Sequence, residues 1–291
     1  MWTVRSVLAA TADLFAKRGI DEARLDAEHL LAHALGLRRI DLFVAHDRPL
    51  DEAELARYRV LVKERAGARL PVAYLTGRRE FYSLELEVTR DVLVPRPETE
   101  GLVDAALEAL ARRPAAAGPA LLADVGTGSG AIAIAFGKLA KPPAGRIFAT
   151  DTSAAAIEVA RRNVARHGLG DRIEMITRDL LSPLVAAGLA GKLAVLASNP
   201  PYIAAAERAA LAPEVLAEPR LALFSGEDGL DALRAIVAGA PALLEPGGAL
   251  VVEHGAAQGE ATRALARAAG FTEVATRKDL AGQDRLLVAR R

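Results

Sequence analysis

The sequence predicts an α/β protein: a mostly parallel, seven-stranded sheet covered by helices on both faces, preceded by a helical segment and a short β-hairpin. Three observations predict it. Residues 1 to about 70 carry helical spacing with no strand signal, residues 78–94 alternate apolar and polar, and beyond Pro97 strand-like and helix-like stretches take turns. Alternation of the last kind builds parallel strands, which need a long crossover between them and hide both sheet faces under helices.

Taken in order, residues 1–19 read as an amphipathic helix with Leu8, Leu14 and Phe15 on one face. Asp13 and Lys17 interrupt its apolar stretch, so it is neither a targeting segment nor a span, and no run of 18 apolar residues follows. Asp21 is placed to cap a second helix, with Leu25, His29 and Leu30, that ends at Gly36. Asp51 is placed to cap a third with Leu55, Tyr58, Leu61 and Val62. Pro71 changes the pattern. Phe81, Leu84, Leu86, Val88, Val92 and Val94 then predict a hairpin over 78–94, closed by Pro95 and Pro97. Residues 115–120 form a small-residue linker. Seven candidate strands follow at 121–125, 146–150, 173–177, 193–198, 249–254, 273–277 and 285–289, with helices such as 153–167 and 229–244 between the first five. The link 279–284 is too short for a helical crossover, so the last two strands pair antiparallel. Six parallel strands with one antiparallel insertion is not a dehydrogenase pattern.

Composition narrows the function classes. The 291 residues carry 37 basic and 37 acidic side chains, for zero net charge, with 25% charged and 52% hydrophobic residues, the profile of an ordinary soluble globular protein. Zero net charge weighs against a protein that coats nucleic acid through its phosphates. With no cysteine there is no disulfide framework, thiolate zinc site or cysteine nucleophile, which fits a reducing, cytoplasmic setting. His29, His33 and His46 form no metal-ligand set, and no metal is predicted.

Two motifs carry chemistry. Asp124-Val125-Gly126-Thr127-Gly128-Ser129-Gly130 follows a strand and opens a helix, and Asp151 ends the next strand. Glycines there allow a tight turn and a close approach of ligand to backbone, and the carboxylate can accept both hydroxyls of a ribose. The pair implies an adenosine-containing cofactor. Gly126 to Ala131 also satisfies a dinucleotide fingerprint, so NAD and S-adenosylmethionine both stay open on this motif alone. The second motif, Asn199-Pro200-Pro201-Tyr202, follows the fourth strand on the same edge of the sheet. Two prolines fix two φ angles and remove two backbone donors. What remains is a set of acceptors, the Asn199 side-chain oxygen and the Pro200 carbonyl, beside the aromatic wall of Tyr202. Such a set suits a planar NH2 group, whose two N–H bonds it can take while turning the nitrogen toward an electrophile.

These residues resemble the class I S-adenosylmethionine-dependent methyltransferases that modify planar nitrogens, and more narrowly the HemK/PrmC family of peptide chain release factor glutamine methyltransferases. Arg79 to Tyr82 and Val94 to Glu100, Glu218-Pro219 with Leu223 to Leu230, and Glu253-His254-Gly255, Gln258-Gly259 and Gly270-Phe271 carry the resemblance over nearly the whole chain. It implies a Rossmann-like seven-stranded catalytic domain over 98–291, a helical substrate-docking domain over 1–75 and a β-hairpin linker over 76–97. It implies transfer of a methyl group from S-adenosylmethionine to N5 of the glutamine in the Gly-Gly-Gln motif of release factors 1 and 2, by a monomer with no nucleic-acid or membrane partner. Gly126, Thr127, Gly128, Ser129 and Gly130 would hold the methionine part of the cofactor and Asp151 its ribose. Asp179 and Leu180 would face the adenine, with Leu180 standing where relatives can have an aromatic. Asn199 would bridge cofactor and substrate, Asn199, Pro200, Pro201 and Tyr202 would clamp the amide, and Asn199, Pro200 and Tyr202 would be catalytic.

Three rival readings share parts of this pattern: a nucleic-acid methyltransferase acting on a flipped base's exocyclic amine, an NAD-dependent oxidoreductase, and a cofactor-binding scaffold without turnover. Other signals have plainer readings. Arg57, Arg59, Lys63, Arg65, Arg69, Arg78 and Arg79, against Glu64 alone, form either a solvated helix face or a docking surface for an acidic partner. His254 reads as a structural histidine rather than a base. Arg96 and Thr99 stand where they can line the site, and Phe81 and Tyr82 read as packing residues.

Overall fold

Thr3 and Asp51 begin two helices for the same reason. Each accepts a hydrogen bond from the backbone N–H three residues on, and the side chains of Ser6 and Glu54 answer to the Thr3 and Asp51 N–H groups. A reciprocal cap of this kind satisfies two otherwise orphaned donors and is worth about 1 kcal/mol. A computed structural model describes residues 1–114, 118–141, 144–178, 180–279 and 281–291. It divides the chain into two units, Met1–Arg78 with Ala212–Ala217, and Arg79–Leu211 with Glu218–Arg291.

The first unit is helical. Helices Val4–Lys17, Ala23–Leu35 and Glu52–Ala68 enclose a core that includes Leu8, Phe15, Leu30, Leu31 and Tyr58. Gly36, at φ 66°, ends the second helix, since a left-handed residue there costs glycine little. Two details differ from the sequence reading. Asp21 does not cap that helix: Glu22 takes the N-cap position and makes no side-chain bond to it. Leu14 stands exposed, and Val4, Val7, Leu8, Thr11 and Phe15 form the buried stripe. Arg65 is buried, and its guanidinium donates to Asp26 at 2.8 Å and to Glu214 at 2.7 Å. Arg69 donates to the Arg18 and Gly19 carbonyls, Arg57 to the Ala34 carbonyl, and Arg59 to Glu52. The basic stretch is therefore partly internal mortar, and a docking surface made of all its members does not exist.

The hairpin of β1 (Arg78–Phe81) and β2 (Leu84–Glu87) opens the second unit from Arg79 on. Its two-residue turn places Tyr82 and Ser83 at φ 52° and 56°, a conformation that usually selects Asn-Gly. Tyr82 is held there by its backbone N–H donating to Glu100 Oε1 at 2.8 Å and its hydroxyl reaching the Glu100 carbonyl at 3.0 Å. The hairpin ends at Glu87, shorter than the alternation predicts. Val88, Val92 and Val94 are buried without being strand, so their spacing reflects burial and not pairing.

The sheet comprises β3 (Ala120–Val125), β4 (Ala144–Asp151), β5 (Ile173–Thr177), β6 (Leu193–Ser198), β7 (Leu244–Glu253), β8 (Glu273–Lys278) and β9 (Asp284–Arg290). Its order is β5-β4-β3-β6-β7-β9-β8. Six strands run one way, and β9 runs against both its neighbours β7 and β8. Every residue of β6 is buried, as expected of a strand covered on both faces. Period two sorts β7 between two cores: Ala249 and Val251 join Ile134 and Phe136 on one face, while Leu250 and Val252 join Ile236 and Leu243 on the other. Residues 115–117 of the predicted linker lie outside the described residues. Among the described residues no helix is long and apolar enough to cross a membrane. The topology fixes where a ligand can enter. The chain leaves β3 toward β4 and β5, then returns to the other side of β3 for β6 and β7, so a crevice opens beyond the carboxyl ends of β3, β4 and β6.

Candidate active site

A cavity of about 480 Å³ occupies that crevice. This is within the roughly 300–1,000 Å³ usual for small-molecule sites. Gly126, Thr127, Gly128 and Ser129 line it from the end of β3, Asp151 from the end of β4, and Asn199 and Pro201 from the end of β6. Phe81, Arg96, Thr99 and Phe224 also reach it.

The glycine turn is held by its own neighbourhood. Gly126 and Thr127 donate to the Thr150 carbonyl, both at 2.9 Å. Asp124, fully buried, accepts from Thr127 Oγ1 at 2.6 Å and from the Ala133 N–H at 3.1 Å through one oxygen. It thereby serves the N-terminus of helix Ala131–Leu139, whose N-cap, Gly130, has no side chain to offer. Its other oxygen has no partner among the described residues, and burial pushes the carboxyl up to about 7 despite those two bonds. Gly126 and Gly128 sit at φ 74° and 55°; a Cβ on Gly128 would meet no atom within 4 Å, so its outer side faces open space. Gly130 differs: a Cβ there would press on Ile134 Cδ1 at 3.3 Å and Ala160 at 3.4 Å, so that glycine serves helix packing and does not reach the cavity wall.

Asp151 accepts from the Gly128 N–H and the Ser153 N–H, both at 2.9 Å, and still faces the cavity. Burial raises its carboxyl pKa, while those backbone donors pull it down. Leu180 lines the cavity too, at φ 43°, with its carbonyl accepting from Thr150 Oγ1. Asp179 lies outside the described residues. The parts fit a ligand that joins an adenosine to a charged amino-acid tail: a backbone turn open on its ligand side, a hydroxyl at Ser129, and a carboxylate with lone pairs for a ribose.

The second wall is held over longer reach. Asn199 Nδ2 donates to Thr99 Oγ1 at 3.0 Å, and Thr99 Oγ1 donates to Glu253 Oε2 at 2.7 Å. Tyr202 donates its hydroxyl to Glu253 Oε1 at 3.2 Å, and burial raises the phenol's pKa. Burial also raises the Glu253 carboxyl, and the Thr99 and Tyr202 hydroxyls pull it back. The Tyr202 carbonyl accepts from Gln258 Nε2 at 2.9 Å, and a Cβ on Gly229 would strike that same carbonyl at 2.3 Å. Beyond the turn, Ile203 pairs with the strand-like run at Phe224 through bonds to Leu223 and Ser225. Arg96 pairs with buried Glu218, which also accepts from the Val94 N–H at 3.0 Å.

The structure thus brings Gly126–Ser129, Asp151, Leu180, Asn199 and Pro201 to one cavity. Pro200 is buried and Tyr202 packs on the core with its hydroxyl turned to Glu253; neither is among the cavity's lining residues. His254 is wholly buried, with Nδ1 against the Gly255 carbonyl and Nε2 without a partner among the described residues, and it does not line the cavity. Burial lowers its pKa, which suits a neutral structural ring. Sequence reasoning did not assign Glu253, Gln258 or Glu218 to the site. Their only signal was membership of segments that resemble one family.

Comparison with known proteins agrees with this geometry. Residues 6–77 match the PrmC N-terminal domain family and residues 99–228 the methyltransferase small domain family. The release factor glutamine methyltransferase of Cereibacter sphaeroides is 47% identical over 285 residues, covering 97% of this chain and 96% of that protein. The chain belongs to the release factor glutamine methyltransferase family. Its relative from Burkholderia pseudomallei is 46% identical over 98% of this chain and 97% of its own. Among solved structures, the hMettl16 catalytic domain shares the fold at a TM-score of 0.55 and 14% identity, covering 82% of this chain and 81% of that one.

Proposed function

We propose that this release factor glutamine methyltransferase moves a methyl group from S-adenosylmethionine to N5 of the glutamine in the Gly-Gly-Gln motif of release factors 1 and 2. The observation that carries the reading is the facing of two walls across one cavity: Gly126–Ser129 with Asp151 on one side, and Asn199 on the other with its Nδ2 already committed to Thr99. With Nδ2 turned to Thr99, Oδ1 is the acceptor that Asn199 offers a substrate.

S-adenosylmethionine supplies a methyl group on a sulfonium, a good electrophile with a neutral leaving group. The chain's own residues then do three things. The glycine turn and Asp151 hold the cofactor at the carboxyl edge of β3 and β4. Asn199 Oδ1 accepts one N–H bond of the substrate amide, and the Pro200 carbonyl, which lies behind the cavity's lining residues before substrate enters, takes the other once the amide seats against the turn. An amide nitrogen is a poor nucleophile because its lone pair is delocalised, and acceptors on both protons favour the pyramidal, partly positive nitrogen of the transition state. The nitrogen that takes the methyl would release one of its protons to water and leave the sulfonium sulfur as a neutral thioether. Tyr202, fixed by Glu253 and Gln258, braces the turn that carries these acceptors. In this reading residues 1–75 dock the protein substrate, 76–97 link, and 98–291 hold the cofactor, in a cytoplasmic monomer.

The test is direct. Release factor incubated with the enzyme and S-adenosylmethionine gains the mass of one methylene on the Gly-Gly-Gln peptide, and fragmentation places it on the glutamine side chain. Equal labelling of a factor whose motif glutamine is replaced by alanine, or methyl incorporation into nucleic acid in place of protein, overturns the assignment.

A further inference from the structure

A side-chain amide has two similar ends, and Asn199 is useful as an acceptor only if the right one faces the substrate. Crystallographic practice settles such choices from the hydrogen-bond network, and here the network leaves one answer. Thr99, 4% exposed, has a single hydroxyl proton and stands between the Asn199 amide and the Glu253 carboxyl. Glu253, 1% exposed, already takes the Tyr202 hydroxyl on Oε1, and its Oε2 lies 2.7 Å from Thr99. With Glu253 ionised, as the two hydroxyls that pull its carboxyl back favour, it accepts and does not donate, so the Thr99 proton goes to Glu253. Thr99 Oγ1 then has only lone pairs for Asn199, and only the NH2 end of the amide can meet them. The reverse orientation would ask one proton to serve two acceptors, and the cost of such an unsatisfied pair at a buried site is high.

We infer that Glu253 is a positioning residue for the reaction: through Thr99 it fixes which way round the Asn199 amide stands, so that Oδ1 is the end left for the reacting amide. The inference rests on the reading of Asn199 given above. It also accounts for why a carboxyl is buried at the end of β7 with no cationic side chain hydrogen-bonded to it among the described residues. The two hydroxyls it orders both belong to this wall of the site, and one of them, on Tyr202, belongs to the Asn199–Tyr202 turn itself. Neither Glu253 nor Thr99 touches the reacting nitrogen in this scheme, so both act through Asn199.

Four single variants and one double variant test it with the full-length enzyme and intact release factor: Thr99→Val, Thr99→Ser, Glu253→Gln, Asn199→Ala and Thr99→Val/Glu253→Gln. Valine keeps the threonine shape without the hydroxyl, and glutamine keeps the glutamate shape while adding a donor. Thr99→Val is expected to lower kcat by about 10²-fold, the scale of a misplaced reacting group, and Glu253→Gln by less, since its amide oxygen can still take the Thr99 proton while its Nε2 donates to the Tyr202 hydroxyl oxygen. The release-factor KM and the calorimetric S-adenosylmethionine Kd should stay within about threefold under the same ordering logic. Thr99→Ser, which restores the relay, should recover most of the lost kcat. The double variant Thr99→Val/Glu253→Gln should be no slower than Thr99→Val alone, because both cut one chain. If Glu253→Gln fails to fold, the Val and Ser pair at Thr99 carries the test. A slow Asn199→Ala with wild-type kcat in Thr99→Val overturns the positioning role and leaves the site reading standing. Wild-type kcat in all variants, Asn199→Ala included, overturns both.

Discussion

On the β3–β4 wall of the cavity, the side-chain bonds that hold the glycine turn close over short stretches of chain. Thr127 and Ala133 reach Asp124 across 3 and 9 residues, and Gly128 reaches Asp151 across 23. On the opposite wall they close over much longer ones: Asn199 to Thr99 across 100, Thr99 to Glu253 across 154, and Arg96 to Glu218 across 122. The first wall is a local motif that folds with its own strand and helix. The second exists only when β6, β7 and the segment before helix Glu100–Ala111 have all assembled. One therefore expects cofactor binding and methyl transfer to fail separately.

The largest effect should come from the long-range wall. Asn199→Ala removes the acceptor proposed for the amide and should lower kcat by about 10²–10³-fold, the usual loss when one preorganised transition-state contact is deleted. The calorimetric Kd for S-adenosylmethionine should move far less. Equal losses in both would show that the two walls act as one.

The same contrast explains what the sequence discloses. Strands such as Leu193–Ser198 announce themselves because a strand buried on both faces must be apolar throughout. The glycine turn, Asp151 and the Asn199 turn are contiguous and carry residue types that few other roles demand. Apart from the family resemblance, Thr99 is marked only by its place after the hairpin and Glu253 not at all: a Glu at a strand end and a Thr before a helix are common, and only the fold sets them 2.7 Å apart. Val88, Val92 and Val94 mislead for the converse reason, since burial alone can imitate the alternation of a strand. Arg65 shows the same limit for charge, because a run of basic residues does not say which members turn inward.

The next effect tests the local wall's stability. Asp124 is fully buried and its carboxyl stands near 7 in the folded chain against 3.8 when unperturbed, chiefly through burial. The folded state therefore holds the proton more tightly, so this group's contribution to stability is complete below about pH 4 and is lost as pH rises toward 7. The loss is on the order of a few kcal/mol. Asp124→Asn removes the titration, so its Tm should fall less than the wild-type Tm between pH 5 and 8. Parallel Tm curves would show that Asp124 is not the group responsible.

A smaller effect is expected at Asp151. Its replacement by alanine deletes the proposed ribose acceptor and the anchor of the Gly128 N–H together. Hydrogen bonds to a charged group contribute roughly 1.5–3 kcal/mol, so cofactor Kd should rise about 10–100-fold. At saturating cofactor kcat should stay near wild type. A kcat loss matching that of Asn199→Ala would break the division of labour between the walls.

The smallest effect distinguishes open space from packed space within the glycine turn. Gly128→Ala places a methyl group where no protein atom lies within 4 Å, so its cost to the cofactor-free protein is the left-handed backbone alone, about 1–2 kcal/mol. If the cofactor occupies that space, its affinity should fall as well, and the Tm gain on adding S-adenosylmethionine should shrink relative to wild type. Gly130→Ala carries the same kind of backbone strain but presses on Ile134 and Ala160 in place of the ligand, so its loss should appear mainly in the cofactor-free Tm. An unchanged cofactor-induced Tm gain in Gly128→Ala would place the ligand away from this turn. The local wall would then owe its glycines to folding alone.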